Sequence, residues 1–154
     1  MFFAPLELTA GPTHGVNPDA WDGYVAERDR VITGIADSAV RNGVVLTGDV
    51  HAHWAAEIRR HPEDPLSAPV ATELVTTSIT SGGDGSDPRA DVEAVLPENP
   101  HIRYFSNRRG YLRATVTPDE LRADFRTVPF VTRPGAPVTT AASFVIPDRL
   151  PQLL

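Results

Sequence analysis

The chain has 154 residues with 41% hydrophobic and 7% aromatic side chains, the composition of a folded domain rather than a disordered tail. Its net charge is −6 and all 14 basic residues are arginine, so it lacks the lysine-rich stripe that neutralises a nucleic-acid backbone. The absence of cysteine excludes disulfides and thiolate metal sites, and no run approaches the roughly 18 apolar residues that would cross a membrane. An acidic chain repels phosphate esters at long range, so a phosphate-handling site here needs bound cations or clustered arginines.

Residues 1–22 read as an extended start and a loop, with Gly11-Pro12, Gly15 and Asn17-Pro18 as breakers. Trp21-Asp22-Gly23-Tyr24 reads as a cap with a hydrophobic staple. A helix is predicted from Gly23 to about Asn42, with Val25, Val31, Ile32, Ile35, Ala39 and Val40 inward and Glu27, Arg28, Asp29, Arg30 and Asp37 outward. Asn42-Gly43 would close it as a left-handed cap.

Val44-Val45-Leu46 predicts a short buried strand that runs directly into Thr47-Gly48-Asp49-Val50-His51. Helix followed closely by strand is an αβ unit, and in α/β folds sites gather at the carboxyl ends of strands. Residues 54–60 satisfy neither period cleanly and are read as a strand. Residues 61–69 form a Pro-rich loop, and 73–80 a further strand rich in Val, Thr and Ile. Residues 81–86 are a Gly-rich loop, and 88–96 a short helix with proline in its first turn. Strands are then predicted at 102–105, 111–116, 121–128 and 142–146, a meander in which Arg133 to Pro137 is a rigid linker.

The sharpest chemical feature is Gly48-Asp49-Val50-His51-Ala52-His53. On an extended strand, D-x-H puts carboxylate and imidazole on one side of the backbone, where both can reach one cation. A hard cation suits the carboxylate and iron or zinc the imidazole. The competing reading is a capping Asp49 with histidines in ordinary hydrogen bonds. Ser81 to Gly85 is more simply a turn than an anion cradle, since it lacks the lysine and spacing of a P-loop. Arg108-Arg109 is either a bidentate phosphate fork or a solvated hairpin turn. His101 reads as a structural histidine. No G-x-S-x-G elbow supports a serine hydrolase.

Taken in order, Asp19-Ala20-Trp21-Asp22-Gly23-Tyr24, Val45-Leu46-Thr47-Gly48-Asp49-Val50-His51, residues 73–81, Asn99-Pro100-His101, Arg109-Gly110-Tyr111, and Pro134 to Pro137 with Ala142 to Val145 resemble the PhoD-like alkaline phosphatases. The resemblance implies an α/β fold: the carboxy-terminal part of a metallophosphoesterase-type β-sandwich flanked by helices, mainly antiparallel after residue 100. Residues 1–154 would then be a single partial domain. It further implies phosphoester hydrolysis with calcium and iron as cofactors, Asp49 as a calcium ligand and His51 as an iron ligand, with His53 a weaker candidate.

Cations in such a mechanism polarise the phosphoryl oxygens and lower the pKa of the attacking water, supplying the positive field the acidic chain lacks. The implied substrate is a phosphomonoester or phosphodiester. The family's earlier ligands, aspartates with a nearby tyrosine and an asparagine, have no counterpart here. Met1 resembles an internal methionine of the family, which implies a missing amino-terminal portion and an inactive chain. The alternative is a noncatalytic remnant or interaction module. Full-length relatives are commonly exported by the twin-arginine route, and no such signal occurs in this sequence.

Overall fold

The structure is a computed structural model that describes residues 2–38 and 40–154. Met1, part of the predicted extended start, and Ala39, predicted on the inward face of the helix, lie outside the described residues. A short 3-10 turn over Trp21–Gly23 leads into helix α1, Val25–Asp37. Strands β1 (Val44–Thr47), β2 (His53–Arg59) and β3 (Pro69–Val75) follow, then the short helix α2 (Ala90–Glu93) and a 3-10 turn over Leu96–Glu98. The chain continues as β4 (Ile102–Ser106), β5 (Arg109–Val116), β6 (Glu120–Val128) and β7 (Thr139–Pro147).

Two sheets result, one in the order β1-β3-β2-β4 and one in the order β5-β6-β7. Only β1 and β3 are parallel. β4 is antiparallel to β2, and β5, β6 and β7 form an antiparallel meander, as the alternation after residue 100 predicts. Among the described residues no helix is long and apolar enough to cross a membrane.

One apolar cluster joins the amino-terminal segment and α1 to the first sheet through Phe2, Phe3, Ile32, Trp54, Ile58 and Val75. A second lies between the sheets, where Ala55 and Leu74 of the first meet Ala123, Phe125 and Ile146 of the second. The ring of Phe125 sits 4.9 Å from that of Tyr104 and 6.0 Å from that of Phe144. Because β2 is covered on both faces, nearly all its residues are buried, which is why its sequence shows no clean period.

Several expectations need correction. Helix α1 ends at Asp37, so Asn42, at φ 61°, belongs to a later turn rather than a helix cap. Its inward face holds Ile32 and the buried Arg28, whereas Val25, Val31 and Val40 are exposed. Arg28 is tolerated inside because its charge pairs with Asp22 through Nη1, which a hydrophobicity pattern cannot register. Strand β1 lies at a sheet edge rather than in its centre, with Leu46 60% exposed. Strand β3 runs from Pro69 to Val75, earlier than the predicted 73–80, because Thr76 and Ser78 turn away to bond β5: Gly110 N–H donates to Ser78 O at 3.1 Å and Leu112 N–H to Thr76 Oγ1 at 3.2 Å. Helix α2 is a single turn, and Pro88 precedes its cap at Arg89.

Candidate metal-ligand turn

The register fixes where the chemistry gathers. Thr47 pairs with Val75, Val75 with Trp54, and Trp54 with Phe105. The end of β1, the start of β2, the end of β3 and the end of β4 therefore share one edge of the first sheet. Since β3 lies between β1 and β2, the connection from Gly48 to Ala52 must arch over the end of β3. That short bridge forces the backbone out of the extended region: Asp49 has φ 78° and His51 φ 51°. The expectation of an extended D-x-H is thus wrong in its geometry. Left-handed backbone at two residues other than glycine is unfavourable and concentrates at functional positions.

Asp49 and His51 are both exposed, and within the described residues neither the carboxylate nor the imidazole is engaged by a hydrogen bond or ion pair. His53, two residues on, is different. It is fully buried, its Nδ1 accepts the Thr77 N–H at 3.3 Å, and its ring packs edge-on to Phe125 at 5.2 Å. Burial holds its pKa down to about 4, so it stays neutral. It is a core residue.

The loop after β3 closes over the same edge. Gly82 and Gly83 adopt φ 81° and 69°, and a Cβ on Gly82 would stand 3.0 Å from Arg109 Nη2 and 3.6 Å from His51 Nδ1. Arg109, first residue of β5, is 4% exposed. Its Nε donates to Gly83 O at 2.9 Å, Nη2 to Gly82 O at 3.0 Å, and Nη1 to Asn107 O at 3.1 Å and to His51 O. The guanidinium is spent on carbonyls and does not form a phosphate fork with Arg108, which instead lies 3.8 Å from Asp87. Asp84 faces the other way, accepting the N–H groups of Val131 and Thr132 at 2.7 and 3.0 Å. His101 is structural, its Nε2 bonded to Pro5 O at 2.8 Å.

Among the described residues no group of three or more His, Cys, Asp or Glu side chains is placed to hold a metal ion. Asp49 and His51 nevertheless have the chemistry of metal donors, one oxygen and one nitrogen, exposed and without a hydrogen bond or ion pair among the described residues, on a strained turn. Hard cations take about six or more oxygen donors, so two ligands alone make a weak site.

The family model described as PhoD-like phosphatase matches residues 1–125, which include the whole of this edge. The chain belongs to the PhoD-like phosphatase family. Alkaline phosphatase D of Bacillus subtilis (strain 168) is 50% identical over 145 residues, 94% of this chain and 25% of that protein. A solved structure of PhoD is 47% identical with a TM-score of 0.94, covering 100% of this chain and 30% of that one. This member of the PhoD-like family thus spans about a quarter of the curated relative's length, with its fold retained. Arg109 is the residue whose role sequence reasoning missed. Its adjacency to a Gly-rich partner loop is visible only after folding, because three of the four carbonyls it binds lie 26, 27 and 58 positions away.

Proposed function

We propose that this chain is the carboxy-terminal part of a metal-dependent phosphoesterase, and that Asp49 and His51 are two of its metal ligands, Asp49 toward calcium and His51 toward iron. The observation that carries the reading is the pair of uncommitted donors on a strained turn at the strand edge, in a chain of the PhoD-like phosphatase family. When bound, such cations supply Lewis-acid polarisation of the phosphoryl oxygens and an attacking water of lowered pKa.

The residues of the chain do the positioning. Asp49 and His51 offer their donors to the edge, Gly82 leaves room beside the imidazole, and buried Trp54 with half-buried Phe105 stiffens the sheet beneath, their rings 4.4 Å apart. The substrate class is a phosphomonoester or phosphodiester. The remaining ligands come from the amino-terminal portion that relatives carry and this chain does not span.

The test is complementation. Alone, the purified chain should bind calcium weakly and hydrolyse a chromogenic phosphomonoester little. Mixed or co-expressed with the amino-terminal three-quarters of alkaline phosphatase D from Bacillus subtilis, it should restore turnover, and Asp49→Ala or His51→Ala should abolish that gain. Robust turnover by the chain alone would overturn the two-ligand reading. Failure to complement, with a stable complex formed, would favour a noncatalytic interaction module.

A further inference from the structure

We propose that Arg109 is the positioning residue of the turn that carries Asp49 and His51, setting its geometry by gripping the His51 carbonyl and the Gly82–Gly83 loop with one guanidinium. The functional part of this inference rests on the ligand assignment above, whereas the grip itself does not. Arg109 is 4% exposed, so it acts through the turn rather than on a substrate.

Its partners are all uncharged oxygens, contributed by four segments: His51 from the β1–β2 connection, Thr77 Oγ1 at 3.4 Å, Gly82 and Gly83 from the loop beyond β3, and Asn107 from the crossover between the sheets. A buried cation that meets no carboxylate among the described residues is unusual, and here its donors replace solvent for carbonyls in turn and loop segments.

The planar fork is what lets one side chain serve divergent acceptors, since lysine has a single compact ammonium. The base of the fork is also fixed. The next residue, Gly110, lies at φ 154°, and a Cβ there would stand 1.8 Å from Arg126 O, so β5 is held against β6 where Arg109 departs. The turn and the loop consequently share one anchor on the second sheet, although both hang from the first.

Two measurements test the assignment. In the wild-type chain, nitrogen-15 spectra of the Arg109 guanidinium should show separate, slowly exchanging protons with hindered rotation; one averaged, fast-exchanging signal would overturn the proposal. In Arg109→Lys, backbone relaxation should show residues 48–52 and 81–85 becoming mobile while β6 keeps its order, and the affinity for Mn²⁺, read by paramagnetic broadening at Asp49 and His51, should fall at least tenfold. A folded Arg109→Lys chain with both segments ordered and Mn²⁺ affinity within twofold of wild type would overturn it. If the lysine variant does not fold, the wild-type guanidinium spectrum decides. Absence of Mn²⁺ broadening in the wild-type chain would sink the ligand assignment, and the relaxation comparison would still decide whether Arg109 holds the turn.

Discussion

The Thr47 hydroxyl donates to Glu73 Oε1 at 2.6 Å, fastening the strand end that delivers Asp49 to a carboxylate in the interior. The same carboxylate accepts the N–H of Phe3 at 2.8 Å and of Ala4 at 2.7 Å. Burial pushes the Glu73 carboxyl above its ordinary pKa, against the pull of the Ala4 amide, the Thr47 hydroxyl and the Phe3 amide.

Glu73→Gln should therefore be destabilising despite its near-identical shape. A glutamine places an NH₂ where one of the donors points, leaving a buried N–H or hydroxyl without an acceptor at a cost of about 1–3 kcal/mol. Urea unfolding measures the loss, and hydrogen exchange should show it first at Phe3 and Ala4. Equal midpoints for wild type and variant would contradict this role.

Asp22 and Arg28 form an ion pair buried at both ends, with side chains 6% and 3% exposed. Asp22 also accepts the Leu6 N–H at 3.1 Å, tying the amino-terminal segment to the helix. Removing one partner strands the other charge, so Asp22→Ala should cost about 3–5 kcal/mol. The double variant Asp22→Leu with Arg28→Met should recover much of that loss in thermal unfolding. A double variant no more stable than the single one would argue against a stranded charge as the cause.

Burial holds the His101 imidazole below its ordinary pKa, so the native state resists a proton that the unfolded chain accepts. Its contribution is full above the unfolded value of about 6.5 and is lost as pH falls from there toward the lower folded value. His53, held down to about 4, acts in the same direction over the same window. Denaturation midpoints measured from pH 7 to pH 5 should fall, and His101→Gln should flatten part of that slope. An unchanged slope in the variant would remove His101 as a cause.

Among the described residues strand β1 is an edge of the first sheet, with Leu46 60% exposed. Unpaired edges with apolar side chains template pairing between chains. Concentrated samples should self-associate in sedimentation velocity, and Leu46→Lys should shift them toward monomer. A sharply monomeric wild-type sample would count against an adhesive edge.

Local pattern located most elements, because strand and turn preferences are properties of short segments. The meander of β5, β6 and β7 follows from alternation such as Leu112, Ala114 and Val116. Asp49 and His51 stood out as candidate ligands through residue type and spacing. Their backbone is not extended as spacing suggests, since the left-handed conformation of both arises from bridging over β3, a strand more than 15 positions later in the chain.

By itself the sequence determined the residue chemistry: an acidic chain without cysteine or lysine, one D-x-H motif after a short apolar run, and a β-rich second half. Tertiary structure decided which groups are spent and which are open. Arg28 and His53 are interior, Arg109 is occupied by carbonyls, and Asp49 and His51 remain uncommitted at the sheet edge. The reason is that burial and hydrogen-bond satisfaction depend on partners distant in sequence, such as Glu73 for Phe3 or Arg109 for His51, and these meet only when the two sheets and the amino-terminal segment close on their shared cores.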